Sequence, residues 1–219
     1  MKEEIVIYDR EWMLLWTVDR KQFIEEQKEE FMKCSGVTRA AWSIWVLMMD
    51  TAKRIRLVKR WNTSECSFVF DKAVWWHARP WESPDVTAMR EVWEELWIKS
   101  VVASDENEFS TLLKKVDLNK VAVLQIIDHD KWLRAMINPK NEDDPPYERR
   151  FNATIFFAIY DWKFRLDNLE AVSHESIDLD RVIDMINSEP EKYTSWLQDL
   201  IAKYSWKMNQ LFKVHFDLM

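Results

Sequence analysis

The order of apolar and polar residues predicts short strands in the first part of the chain. Residues 4–8 (EIVIY) and 13–18 (MLLWTV) are apolar segments separated by a polar turn, which is typical of a hairpin. The nearly continuous apolar run at 40–49 (AAWSIWVLMM) is typical of a buried central strand. Residues 53–60 (KRIRLVKR) alternate apolar with basic side chains, which predicts a half-exposed strand with a solvated basic face.

The remaining segments predict a mixture of helices and strands. Residues 19–33 are predicted to be helical, and 128–149 to be a polar loop. The other predicted strands lie at 72–74, 121–127, 151–160 and 164–166, with a strand fragment and a charged excursion at 101–119. The closing helices are predicted at 178–187 and 191–212. We therefore expect a single domain over 1–219, with a short hairpin at 4–18 and C-terminal helices at about 178–212.

Residues 84–96 carry the clearest signals for a helix. Ser83 is a favourable N-cap, Pro84 suits the first helical position, and Asp85 complements the positive end of the helix dipole. At about 3.6 residues per turn, the positions predicted to form the apolar side are Val86, Met89, Val92, Trp93 and Leu96. The other side carries three glutamates at spacings i, i+3 and i+4: Glu91, Glu94 and Glu95.

The three glutamates on this helix admit two interpretations. Carboxylates on one helical patch repel one another unless a positive group lies between them. Hard oxygen ligands of this kind suit Mg²⁺ or Mn²⁺, so the functional interpretation is a divalent-ion site. A solvated acidic face is the simpler explanation of an isolated E-x-x-E-E pattern, and the residues around the helix must decide between the two.

The stretch from Trp75 to Ile98 resembles the Nudix box, G-x5-E-x7-R-E-U-x-E-E-x-G-U, in which U is a bulky apolar residue. Every charged position is present at the right spacing: Glu82, Arg90, Glu91, Glu94 and Glu95. Val92 and Ile98 fill the two apolar positions. Both glycine positions are occupied by tryptophan: Trp76 and Trp97. Residues 170–177 resemble a late strand region of Nudix chains. Softer matches in the opening segment VIYDREWMLLWTVDR, at TRAAWSIWVL and at EPEKYTSWLQDLI resemble the branch that contains isopentenyl-diphosphate isomerases and related hydrolases.

The resemblance implies both a fold and a chemistry. Nudix proteins have an α/β (α+β) fold, an α/β/α sandwich with a mixed sheet, and they hydrolyse a diphosphate linked to another group with Mg²⁺ or Mn²⁺. By resemblance, the metal ligands are Glu91, Glu94 and Glu95. The catalytic candidates are Glu94, Glu95 and Glu170, the last as a general base with Glu148 behind it. The expected substrate is a small-molecule diphosphate, such as a nucleoside-diphosphate derivative.

The remaining box residues have expected supporting roles. Arg90 paired with Glu82 should pin the loop onto the helix, a structural function. Trp76 and Trp97 hold structural positions of the motif, and a backbone carbonyl near Trp75 and Trp76 is a further candidate metal ligand. Outside the box, the basic strand offers two residues that could hold substrate phosphates, Lys59 and Arg60.

The tryptophans require a physical explanation of their own. Glycine serves in such loops because it reaches positive φ and lets backbone approach a ligand, and tryptophan does neither. The chain contains 1 glycine and 14 tryptophans, whereas average usage predicts roughly 15 glycines. We hypothesise that many tryptophans are glycines in the organism, through a UGA codon read as glycine. The candidates are Trp12, Trp16, Trp75, Trp76, Trp81, Trp97 and Trp162, while Trp45 and Trp196 look genuine.

Composition and charge exclude several classes of protein. The formal charge of −7 argues against binding to nucleic-acid polymers or anionic membranes. No apolar run approaches the length of a membrane span, and the N-terminus lacks the apolar segment of a signal peptide. Two cysteines, Cys34 and Cys66, form neither a disulfide framework nor a zinc pattern, so a cytoplasmic location is expected. Homodimer formation stays open.

Two alternative functions follow from the same residues. An isomerase of the isopentenyl-diphosphate type would have Cys at position 75 and histidine ligands in the N-terminal part, but Trp75 stands there and no histidine precedes His77. A catalytically degenerate Nudix domain, which binds without turnover, is expected if Trp76 and Trp97 are genuine. Their indoles would then obstruct the approach of phosphate to the loop.

Overall fold

The computed structural model describes residues 3–34, 36–61, 66–139, 141, 143–163 and 171–216. The strands are β1 (Glu4–Tyr8), β2 (Leu14–Asp19), β3 (Ala40–Met49), β4 (Arg54–Arg60), β5 (Phe70–Lys72), β6 (Val74–His77), β7 (Lys99–Ala103), β8 (Val121–Ile137), β9 (Tyr147–Ile159) and β10 (Ala171–Asp178). The helices are α1 (Arg20–Cys34), α2 (Pro84–Leu96), α3 (Glu106–Lys115), α4 (Leu179–Ser188) and α5 (Ser195–Phe216), with a 3₁₀ turn at Pro190–Lys192. None of these described helices has the length and apolarity needed to cross a membrane.

The described strands form one mixed sheet. Its main path runs in the order β10-β4-β3-β9-β8-β7, with β1 and β6 also paired to β3, β2 to β1, and β5 to β4. The pairs β3–β9 and β7–β8 are parallel, and the other pairs are antiparallel. The strand β3 lies at the centre, as its apolar run predicts.

Alternation along β3 divides the core into two layers. Ile44, Val46 and Met48 face a cluster that includes three residues of α2, namely Ala88, Val92 and Leu96. The intervening side chains of β3 face a larger cluster that includes residues of α1, α3, α4 and α5. Because successive side chains of a strand point to opposite faces, one continuous apolar strand supports helices on both sides. The predicted mixed sheet between helices is therefore confirmed.

Several predicted elements are confirmed, and others are wrong. The first hairpin, β3 and α2 lie where the sequence predicts them. The segment predicted as a strand fragment and a charged excursion, 101–119, contains most of β7 and all of α3. The side chain of Asp105 caps the N-terminus of α3, since it accepts a hydrogen bond from the Glu108 N–H at 2.8 Å. The predicted loop at 128–149 is too long, because β8 continues to Ile137 through two irregularities that disrupt its alternation, and β9 begins at Tyr147. Residues 143–146 lie between the two strands, as predicted. The predicted strand at 164–166 lies outside the described residues.

Three tryptophans have left-handed backbone conformations. Trp12, Trp97 and Trp132 have φ values of 69°, 57° and 72°. Half of the 6 non-glycine residues with positive φ in the described ranges are therefore tryptophans. A bulky side chain at positive φ is a strained outlier, whereas glycine adopts this region without steric cost.

Burial divides the tryptophans into packed, exposed and partly buried groups. Trp45 and Trp196 are 1% and 4% exposed, and their indole N–H groups donate to Ser43 Oγ at 2.7 Å and Asp71 Oδ1 at 2.8 Å. They behave as genuine tryptophans should. Exposed tryptophans, by contrast, are Trp16, Trp61, Trp81, Trp93, Trp97, Trp162 and Trp206. Trp75 and Trp76 depart from the expectation of strain or exposure, since both are partly buried in the ordinary backbone of β6.

Substitutions at Trp97 and Trp196 should have opposite effects on stability. Trp97→Gly relieves a left-handed backbone at an exposed position, so we expect the free energy of unfolding to rise by about 1 kcal/mol. Trp196→Ala empties a packed site and removes a buried hydrogen bond, so we expect a loss of about 3–5 kcal/mol. Urea unfolding followed by circular dichroism measures both, and equal losses at the two positions would contradict the assignment.

Candidate active site

The candidate site is built on the loop between β6 and α2 and on the helix itself. Ser83, in extended conformation at φ −73° and ψ 161°, caps the helix by accepting a hydrogen bond from the Val86 N–H at 3.3 Å. At the other end, Trp97 adopts the left-handed conformation, and its N–H donates to the Trp93 carbonyl at 2.9 Å. Both ends of the predicted helix are thus fixed by local hydrogen bonds.

The guanidinium of Arg90 is the electrostatic centre of the site. Its Nε and Nη2 donate to the two carboxylate oxygens of Glu82 at 2.9 and 2.7 Å, which is a bidentate ion pair. The same guanidinium contacts Glu94 at 3.0 Å and also pairs with Glu91. Burial favours the neutral form of Glu82, but the hydrogen bonds and charge of Arg90 outweigh burial, and the pKa of Glu82 is lowered. The Arg90–Glu82 pair predicted from the motif is present.

The carboxylate of Glu91 lies on the buried side of α2. The residue is 2% exposed, and burial is the largest cause that raises its pKa, which reaches about 7. Arg90 acts in the opposite direction, and the negative charge of Glu94 adds to the rise. Glu91 is therefore a buried carboxylate whose charged form is poorly stabilised by the surrounding protein groups.

The packing face of α2 differs from the predicted apolar side. Val86 and Trp93 are 47% and 45% exposed, although the helical pattern predicts them on the buried side. The helix instead packs along Ala88, Val92 and Leu96, at i, i+4 and i+8, because the small Ala88 allows a close approach to the sheet. Trp93 contacts Trp97 outside the core, with 5.5 Å between ring centroids.

Because α2 packs along Ala88, Val92 and Leu96 and not along the predicted face, the three glutamates have different environments. Glu91 is buried, the side chain of Glu94 is 50% exposed, and Glu95 is partly buried. Within the ranges that the structure describes, no three His, Cys, Asp or Glu side chains form a ready-made metal cluster. Arg90 pairs with Glu91 and Glu94 and offsets part of their charge. The donor set still fits a hard divalent cation, because three carboxylates occupy two adjacent turns and Glu91 has a strongly raised pKa without one.

A buried charged network that no sequence pattern indicates lies beside the site. Lys72 is 1% exposed, its Nζ lies 3.2 Å from Asp71 Oδ1, and it is within electrostatic range of Glu95. Burial lowers the pKa of Lys72 to about 8, against the opposing charge of Asp71. The ammonium also lies 4.0 Å from the ring centroid of Trp45. Its position next to Asp71 in a short strand carries no motif from which a role could be inferred.

The two basic residues proposed for phosphate binding have different surroundings. Arg60 is buried and forms an ion pair with Asp71 at 3.2 Å, with its guanidinium 6.0 Å from the ring of Trp75. Lys59 is partly exposed, and its Nζ lies 5.8 Å from the ring of Phe70. Neighbouring residues of a strand point to opposite faces, so one surface does not receive both side chains directly. Their role in binding stays a prediction.

The candidates for a general base are located differently by the structure. Glu170 lies outside the described residues. Glu148, on β9, is 6% exposed and forms ion pairs with Arg134 Nε at 2.7 Å and Arg150 Nε at 2.6 Å. Both carboxylate oxygens of Glu148 are therefore already engaged by guanidinium groups.

The box histidine is a hydrogen-bonded structural residue. His77 is 1% exposed, and Arg149 Nη2 lies 3.2 Å from its Nε2, which acts as the acceptor. Burial, followed by the charges of Arg20 and Arg149, holds the pKa of His77 well below its usual value. Its Nδ1 has no hydrogen-bond partner in the described part of the chain. The ring packs near Trp75 at a centroid distance of 5.7 Å.

Comparison with known proteins supports the fold. No protein-family model matches the sequence, and no curated protein is significantly similar to it. The solved structure of DR0079 from Deinococcus radiodurans has a TM-score of 0.59 and 9% identity, covering 92% of this chain and 98% of that one. A MutT protein from Methanosarcina mazei Go1 has a TM-score of 0.48 and 15% identity, covering 76% and 93%. A NUDIX hydrolase from Alicyclobacillus acidocaldarius has a TM-score of 0.47 and 14% identity, covering 74% and 90%. The likeness to DR0079 shows a shared fold.

The raised pKa of Glu91 predicts a pH dependence of stability in the absence of divalent ions. Its pKa of about 7 in the folded protein exceeds the unfolded value of about 4.3, so the folded state retains a proton that the unfolded chain has released. The stabilising contribution is complete below the unfolded pKa and is lost as pH rises through the folded pKa, amounting in full to about 3–4 kcal/mol. Thermal unfolding in EDTA between pH 5 and pH 8 should show this loss.

Glu91→Gln should remove most of this pH dependence, since glutamine does not titrate. Glu25→Gln, at an exposed position on α1, provides the matched control and should behave like the parent protein. A parent-like loss of stability in Glu91→Gln would assign the pH dependence to another group.

Proposed function

We propose that this chain is a metal-dependent hydrolase of the Nudix type that cleaves a diphosphate linkage. The observation that carries the proposal is the arrangement around Arg90, which gathers Glu82, Glu91 and Glu94 at the start and middle of α2. The motif requires these residues, and the structure brings them into one ion-paired group. A solvated acidic face would leave Glu91 in water, whereas Glu91 is buried.

The side chains of Glu91, Glu94 and Glu95 would hold a divalent ion, Mg²⁺ or Mn²⁺. When bound, such an ion neutralises phosphate charge and lowers the pKa of a coordinated water. Arg90 keeps the helix and the preceding loop in a fixed relation through its bidentate contact with Glu82. Lys72 adds a buried positive charge near Glu95, which counters part of the repulsion among the glutamates. A small-molecule diphosphate substrate and a cytoplasmic location belong to this proposal.

An isopentenyl-diphosphate isomerase receives no support from the residues around His77. Trp75 occupies the position of the catalytic cysteine, and His77 accepts its hydrogen bond from Arg149.

A binding domain without turnover is favoured by one observation, the partial burial of Trp75 and Trp76 in β6. The indole of Trp76 stands where the motif has its first glycine, and that of Trp75 lies next to it in the chain.

Replacement of the half-exposed or partly buried box glutamates should abolish turnover without unfolding the protein. Glu94→Gln and Glu95→Gln keep the volume and remove a metal-binding charge, so we expect at least about a 100-fold loss of Mg²⁺-dependent diphosphate hydrolysis. Chromatographic quantification of the two phosphate-containing products from nucleoside diphosphate derivatives, sugar nucleotides, dinucleotides and isoprenoid diphosphates provides the measurement. Glu25→Gln is the control, and full activity in both box variants would refute the metal assignment.

The structural role of Arg90 predicts a separate effect on stability. Arg90→Met leaves the partly buried carboxylates of Glu82 and Glu91 without their cation, so we expect a loss of about 2–4 kcal/mol in the free energy of unfolding. Lys120→Met removes an exposed surface pair with Asp117 and should leave stability close to that of the parent protein. Chemical denaturation at pH 8 in EDTA compares the two, and similar effects would show that the Arg90 pairs are not structural.

A further inference from the structure

The strongest unexplained feature outside the proposed chemistry is the backbone at three tryptophans. At the end of α2, the N–H of Trp97 bonds to the Trp93 carbonyl at 2.9 Å, and the N–H of Ile98 reaches the Val92 carbonyl at 3.5 Å. These two bonds define a helix ending that places residue 97 in the left-handed region, at φ 57° and ψ 34°. Glycine is the usual residue there, because it has no Cβ to clash.

The turn between β1 and β2 makes the same demand at Trp12. The Trp12 N–H donates to the Asp9 carbonyl at 3.3 Å, and the Asp9 N–H donates to the Met13 carbonyl at 3.1 Å. The Asp9 side chain further accepts from the N–H groups of Glu11 and Met13. This is a tight turn followed by a residue at positive φ, in which glycine is the preferred last residue.

Trp132 lies at a bulge inside a long strand. The pairing of β8 with β9 shifts between Asp130 and Leu133, and Trp132 has φ 72° within that shift. A bulge of this kind with a left-handed residue is one of the recognised positions of glycine in strands. Three different structural contexts, a helix end, a hairpin turn and a strand bulge, therefore require glycine and contain tryptophan.

Solvent exposure and composition point the same way. Seven tryptophans are exposed, from Trp61 and Trp93 at 45% to Trp81 at 75%, although indole rings are normally buried with a partner for their N–H. Gly36, the 1 glycine of the chain, does not have positive φ. Glycine, the residue that tolerates left-handed backbone, is thus almost missing from the chain. Tryptophan occupies three of the positions that favour glycine.

We infer that Trp12, Trp97 and Trp132 are glycines in the native protein, because the organism reads a UGA codon as glycine where the translated sequence has tryptophan. The tryptophans encoded by UGG are unaffected, and packing identifies Trp45 and Trp196 among them. This inference does not depend on the proposed hydrolase activity.

The direct test is peptide mass spectrometry of the protein isolated from its own organism, together with the sequence of its gene. Peptides covering positions 12, 97 and 132 should be lighter than the printed sequence by the difference between tryptophan and glycine, and their codons should be UGA. The peptide covering Trp196 should retain tryptophan, encoded by UGG. UGG codons or intact tryptophan at positions 12, 97 and 132 would overturn the inference.

A second test compares two recombinant proteins, one with the printed sequence and one with the changes Trp12→Gly, Trp97→Gly and Trp132→Gly. Relief of three left-handed tryptophans should raise the melting temperature by roughly 6–12 °C. The matched control is a double variant, Trp45→Gly and Trp196→Gly, in which removal of packed indoles should lower the melting temperature. A lower melting temperature in both variants would count against glycine at positions 12, 97 and 132.

Discussion

The candidate site depends on one interaction, the sharing of the Arg90 guanidinium among three carboxylates. Glu82 belongs to the loop before α2, whereas Glu91 and Glu94 belong to the helix. A single planar cation can bind one carboxylate in bidentate fashion and still contact two more, which a lysine ammonium cannot do with the same geometry. Arg90 therefore fixes the loop against the helix and limits the repulsion that three neighbouring negative charges would produce.

The packing of α2 creates a conflict that a divalent cation would resolve. The helix contacts the sheet through Ala88, Val92 and Leu96, and this orientation carries Glu91 into the protein interior. Arg90 is already engaged by Glu82 and Glu94, so its charge offsets only part of the cost of burying Glu91, whose pKa stays near 7. A buried carboxylate destabilises the folded state at neutral pH unless a second positive group approaches it. A metal ion held by the same glutamates would both stabilise this region and supply the chemistry.

The sequence was sufficient to predict elements whose signals are local. The cap at Ser83 and the spacing of apolar residues predicted α2 at its observed bounds, and the long apolar run predicted β3. It was insufficient where pairing across the sheet decides the structure: two irregularities in β8 disrupt the alternation that would have identified a strand through 128–137. The Asp71–Lys72 pair was equally invisible, because its burial depends on Trp45 and Trp196 from distant parts of the chain.

The tryptophans show how backbone geometry and side-chain identity can disagree. At residue 97 the left-handed conformation is required by hydrogen bonds to Trp93 and Val92, both made by backbone atoms, so the fold demands it whichever side chain is present. The indole contributes no compensating burial, since Trp97 is 52% exposed. At Trp196 the side chain itself determines the structure, through packing and its bond to Asp71. Residue 97 is thus a position where the backbone favours the absence of a side chain. It is also one of the two box positions where the motif requires glycine.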